Sequence, residues 1–62
     1  MENRIKVLRE RKGFSQGKLA AECNVSRQTI NAIENNKYDP TLELAFKLAK
    51  VLESKVDDLF IY

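Results

Sequence analysis

The stretch QGKLAAECNVSRQTINAIEN, residues 16–35, limits what this chain can become more than any other feature. It reads as two short helices meeting at a tight corner. In the second, Ile30 and Ile33 lie about 60° apart on a helical wheel, while Arg27, Gln28, Asn31 and Asn35 occupy the opposite side. The apolar pair needs a core to bury against. The polar side offers one guanidinium and three carboxamides, groups whose planar donors and acceptors match purine edges in a DNA major groove. A helix-turn-helix whose second helix reads DNA follows as an expectation.

The rest of the pattern supplies the core. A first helix over about 3–12 places Ile5 and Leu8 at helical spacing with Val7 beside them, and Gly13 stands just past its end. Phe14 follows as an aromatic plug. Ser15 caps a helix over 16–23 with Leu19, Ala20 and Cys23 inward, and Ser26 caps one over 27–35. Between them Asn24 turns the chain in a left-handed conformation and Val25 points inward. After the breaker run Asn36-Lys37-Tyr38-Asp39-Pro40, either Thr41 as cap or Asp39 with Pro40 at the first position begins a helix over 41–52. Its stripe is Leu42, Ala45, Leu48, Ala49 and Leu52, and Leu44, Phe46 and Val51 widen it beyond one face. A short helix over 56–60 ends the series. No pair of segments reads as strands, although the closing Leu-Phe-Ile-Tyr is β-prone. The fold class is all-α: five short helices in one domain spanning 1–62.

With 62 residues, one domain is the limit, and it buries only about 60% of its unfolded surface. No run approaches the ~18 apolar residues of a membrane span, and the charged start is unlike a signal peptide. A cytoplasmic protein with no membrane partner is expected. One cysteine and no histidine leave no disulfide, no metal-ligand set and no cofactor site. Cys23 reads as a small core residue. The net charge of +2 is unevenly placed. Residues 1–37 hold eight basic and four acidic side chains, and residues 38–62 hold three and five. The basic part contains the reading helix, as attraction to phosphate requires.

The run from Ser15 to Leu52, with Gln16 opening one helix, Val25-Ser26-Arg27-Gln28-Thr29-Ile30 across the corner and Ile33-Glu34-Asn35-Asn36-Lys37 after it, resembles the Cro and phage-repressor (XRE) family of helix-turn-helix regulators. The likeness covers nearly the whole chain, in the style of minimal single-domain bacterial members, and implies a lambda-repressor-like fold. In that family the N-terminal residues of the second helix meet base edges. The resemblance thus assigns Arg27, Gln28 and Asn31 to bases, with Ala32 against a thymine methyl. It assigns Gln16, Ser26, Thr29, Asn35 and Lys37 to phosphates. Glu34 is similar to a family glutamate that pairs with an arginine of the first helix, here Arg9. Family glycines are replaced by Asn24, Asn36 and Glu53, the last a poor left-handed residue. Lys55 replaces a small helix cap, for which Ser54 is the substitute.

One such domain makes too few contacts to single out a genomic site. The resemblance implies a homodimer on a pseudo-palindromic operator with half-sites ~34 Å apart. The apolar excess at 51–62, Val51, Val56, Phe60, Ile61 and Tyr62, is the candidate interface. The expected activity is sequence-specific transcriptional regulation, as a repressor that blocks a promoter. The rival is an antitoxin-like module whose main partner is another protein. Without histidine or a paired carboxylate on a concave face, an enzyme is not expected.

Overall fold

Apolar side chains three and four residues apart give each of the longer helices one face that water disfavours, and those faces meet around a single core. The computed structural model describes residues 1–61. Its elements are β1 (Glu2–Asn3), α1 (Ile5–Arg11), α2 (Gln16–Cys23), α3 (Arg27–Glu34), α4 (Leu42–Val51), α5 (Val56–Leu59) and β2 (Phe60–Ile61). Ile5, Leu19, Ile30, Ile33, Leu48 and Leu59 are completely enclosed, with Cys23 beside them. Leu8, Phe14, Val25, Val51 and Val56 pack partly buried around this centre. Val7, expected near the core, is 47% exposed on the outer side of α1.

The buried stripe of α4 is Leu44, Ala45, Leu48 and Ala49, continued by Leu52. Leu42, expected in that stripe, is instead 70% exposed, and Phe46 is 58% exposed. The wheel explains both. The buried arc centres between Leu44 and Ala49, Leu42 falls about 90° from that centre, and Phe46 lies farther round. Thr41 is the cap that starts α4, its Oγ1 accepting the Leu44 N–H at 3.2 Å.

The ends of the described chain depart from the expectation of helices alone. β1 and β2 pair antiparallel, Glu2 opposite Ile61 and Asn3 opposite Phe60, and Arg4 N–H donates to Leu59 O at 2.8 Å. The first helix therefore begins at Ile5 rather than at Asn3. Asn3 serves instead as a tie. Its Oδ1 accepts the Ile5 N–H, and its Nδ2 donates at 2.8 Å to Ile33 O at the end of α3. Strand alternation also settles which way Phe60 faces: it is buried, and Ile61 is half out.

Helices α1 to α4 end with the same backbone device. A left-handed residue follows each: Gly13, Asn24, Asn36 and Glu53, with φ between 54° and 76°. In every case that residue and the next turn their N–H groups back onto the last turn, as in Phe14 to Arg9 O, Val25 to Ala20 O, Lys37 to Ala32 O and Ser54 to Ala49 O. Carbonyls that would be orphaned at each helix end are thereby satisfied.

Candidate nucleic-acid interface

The proposed reading face is held from behind and capped from below. Ile30 and Ile33 anchor α3 in the core. Ser26 Oγ accepts the Thr29 N–H at 3.2 Å and lies 2.9 Å from the Thr29 hydroxyl, which fixes where the helix starts. Arg27, Gln28 and Asn31 stand exposed on the outer side. Together with Gln16 at the start of α2 they line a polar notch of about 310 Å³. Two helix N-termini thus converge on one concave, hydrogen-bonding surface.

Directly behind the notch lies an ionic network. Arg9 Nε donates to Glu34 Oε2 at 2.7 Å and Nη2 to Oε1 at 3.2 Å, with side chains only 9% and 3% exposed. Arg9 Nη1 donates to Phe14 O at 2.8 Å. Hydrogen bonding to Glu34 pushes the guanidinium pKa above its ordinary value, against the effect of burial, so it stays charged at any working pH. Gln16 Nε2 completes the set by donating to Glu34 Oε1 at 3.0 Å. α1, α2 and α3 are all joined by this one carboxylate, and no buried side-chain polar atom among the described residues lacks a partner.

The remaining residues singled out from the sequence are placed as follows. Asn35 Nδ2 donates to Asn31 O at 2.9 Å and Asn31 Oδ1 at 3.2 Å. Asn31 keeps its Nδ2 donors and a second lone pair on Oδ1, so the link to Asn35 leaves both ends of the amide able to meet a base. Ala32 is half-buried at the edge of the face and Lys37 is exposed in the following loop. Cys23 is buried, and burial raises its thiol pKa. The Gln16–Glu34 and Asn3–Ile33 contacts have no signature in spacing or composition, because each joins residues 18 and 30 positions apart through side-chain geometry alone.

On the opposite side of the domain the expected interface residues separate. Phe60 is 7% exposed and belongs to this chain's own core, so only a small edge of it reaches the surface. Val51 and Val56 are half-buried, Ile61 is 51% exposed, and Tyr62 lies outside the described residues. Ser54 does not cap α5: its hydroxyl donates to Lys55 O, and Lys55, the residue at the cap position, makes no side-chain cap bond. Beside α4 lies an open groove of about 370 Å³ lined by Leu42, Ala45, Val56 and Phe60 together with Asp39 and Asp57. Among the described residues no helix is long and apolar enough to cross a membrane, and no three His, Cys, Asp or Glu side chains cluster as a metal site would need.

Known proteins share both the sequence and this geometry. The helix-turn-helix family model matches residues 5–59. An HTH-type transcriptional regulator of Methanocaldococcus jannaschii, MJ0272, is 52% identical over 62 residues, covering 100% of this chain and 94% of that protein. Among solved structures, the restriction-modification controller protein C.AhdI of Aeromonas hydrophila superposes with a TM-score of 0.85 at 32% identity, covering 92% of this chain and 86% of that one. SinR, the master regulator for biofilm formation, solved in complex with DNA, gives 0.79 at 33% identity, covering 86% of each chain. With its fold, its corner and its polar outer face all in place, the chain belongs to the helix-turn-helix family and is a DNA-binding transcriptional regulator of the Cro and phage-repressor type.

Proposed function

We propose that the chain is a cytoplasmic homodimeric repressor that occupies a pseudo-palindromic operator, each copy setting α3 into one major groove. The observation that carries this reading is the polar notch where the starts of α2 and α3 meet, with Arg27, Gln28 and Asn31 exposed along it. Arg27 is assigned to a guanine through O6 and N7, and Gln28 and Asn31 to adenines through N6 and N7, with Ala32 against a thymine methyl. Gln16, Ser26, Thr29, Asn35 and Lys37 flank these positions and are assigned to phosphates.

Dimerisation follows from size. The domain is 26 Å in its longest dimension, shorter than the ~34 Å between half-sites one helical turn apart, so one copy covers one half-site. The groove beside α4, with Leu42 on its wall, and the exposed Phe46 and Ile61 are the apolar surface assigned to a second copy. Selection of bound sequences from random duplex DNA tests the whole reading. A symmetric motif with its halves about one turn apart is expected. A wild-type chain that enriches no motif, or a motif without repeated halves, would remove it.

A further inference from the structure

Resting on the homodimer reading above, we infer how the two copies meet: α4 crosses its twin antiparallel about a two-fold axis, with Phe46 of each copy over the groove of the other and Lys50 of each at the other's Asp39. Leu42 and Phe46 are exposed and four residues apart, so they share one side of α4 with about 6 Å between them along its axis. Leu42 forms part of the groove wall with Ala45, Val56 and Phe60, and Asp39 stands at the same groove just before the helix. An axis passing between Leu42 and Phe46 sets Phe46 of one copy on Leu42 and the groove of the other, twice over. Lys50 lies one turn beyond Phe46, and Asp39 lies three residues before Leu42, so in this crossing each comes opposite the other.

Charge favours this arrangement over its alternative. Lys50 is exposed and has no carboxylate within ion-pair distance among the described residues, whereas Lys12, Lys18 and Lys47 each have one. Asp39 bonds the Met1 ammonium at 2.9 Å, yet its side chain is 63% exposed and a carboxylate accepts more than one donor. Asp57, on the same groove, adds to the negative rim. Two helices crossed in parallel would bring Lys50 against Lys50 and leave both grooves uncovered. Crossed antiparallel, each ring removes a groove from water and each ammonium faces a carboxylate, which fixes the register.

The test is sedimentation equilibrium of the full chain and three charge variants without DNA. Lys50→Glu and Asp39→Lys each set like charges against one another at both contacts of a homodimer, and each weakens self-association by about tenfold. An equimolar mixture of the two recovers the wild-type affinity, because both contacts of the mixed dimer are again opposite in sign. Lys47→Glu makes the same charge change about 100° round the helix from Phe46, on the side where Lys47 acts on Cys23 of α2, and leaves association unchanged. A mixture that associates no more tightly than its components, or a Lys47→Glu variant as weak as Lys50→Glu, overturns this placement while the homodimer reading stands. A wild-type chain that stays monomeric removes that reading as well. Circular dichroism confirms that the variants, all at exposed positions, keep the fold, and recovery in the mixture excludes misfolding as the cause of the loss.

Discussion

The corner between α2 and α3 and the corner between α4 and α5 follow the same backbone path with side chains of very different quality. In each, a left-handed residue is followed two positions later by the residue that starts the next helix: Asn24 then Ser26, and Glu53 then Lys55. The first corner has asparagine, which tolerates the left-handed region, then a valine packed on the core, then a serine whose hydroxyl caps α3. At the second are a glutamate forced into the same conformation, a serine and an uncapped lysine, and the helix that follows has four residues against eight. Gly13-Phe14-Ser15 between α1 and α2 is a third copy of the well-made kind. Local chemistry is strong where α3 must be held to a fixed pose, and it is weak beside the exposed apolar face. There the stability of α5 comes from Leu59 in the core and from the β1–β2 pairing.

The largest test of this contrast removes the brace behind the well-made corner. Arg9→Ala strands a carboxylate whose side chain is 3% exposed, and the expected loss is about 3–5 kcal/mol in urea unfolding. For a domain this small that is a large share of the total. A variant that melts like wild type would show that the brace contributes nothing to the fold. Next in size comes the other half. Phe46→Glu leaves the monomer as stable as before, since the ring is already 58% exposed, yet weakens self-association by about thirtyfold in sedimentation, roughly 2 kcal/mol of apolar burial lost. An unchanged association constant would move the interface away from α4.

The caps give a matched pair of smaller effects. Ser26→Ala should cost about 1 kcal/mol by removing the bond to Thr29 N–H. Lys55→Ser should gain a similar or smaller amount by supplying the cap that α5 lacks, in a position whose backbone is already extended. Equal and opposite shifts in denaturation midpoint would confirm that the two corners differ in side chains alone. A Lys55→Ser variant with no gain would locate the difference in tertiary packing.

Much of the domain was legible because its signals are local. Caps at Ser15, Ser26 and Thr41, the left-handed Asn24, and the apolar pair Ile30 and Ile33 all act within four residues, and such patterns survive in a bare sequence. The reading of α4 as one stripe through Leu42, Ala45, Leu48, Ala49 and Leu52 failed at Leu42 because periodicity defines an arc but not where its centre points, and that is set by which neighbours the helix meets. The β1–β2 ribbon was invisible for a different reason. Two residues at each end of the chain make a pair only after the helices have brought them together, and two residues carry no alternation to read. On the site itself the exposed position of Arg27, Gln28 and Asn31 followed from the wheel, whereas the link from Gln16 to Glu34 depends on a tertiary approach that no spacing announces.

The smallest change tests the weak corner at its backbone. Glu53 sits at φ 54°, where a side chain crowds the main chain, and its carboxylate makes a 2.9 Å bond to Lys12 Nζ. Glu53→Gly relieves the crowding and discards the bond. The pair is exposed and adds little, so a net rise of a few degrees in Tm is expected. Its pH dependence gives the sign an independent check. Hydrogen bonding to Lys12 holds the Glu53 carboxyl below its usual pKa, so whatever the pair contributes is present above the ordinary carboxylate range and fades as pH falls through the depressed value. The advantage of glycine over glutamate should therefore widen on acidification. An advantage that narrows instead would mean that the carboxylate burdens the corner through its charge, and that the left-handed backbone is not what makes this turn the weaker of the two.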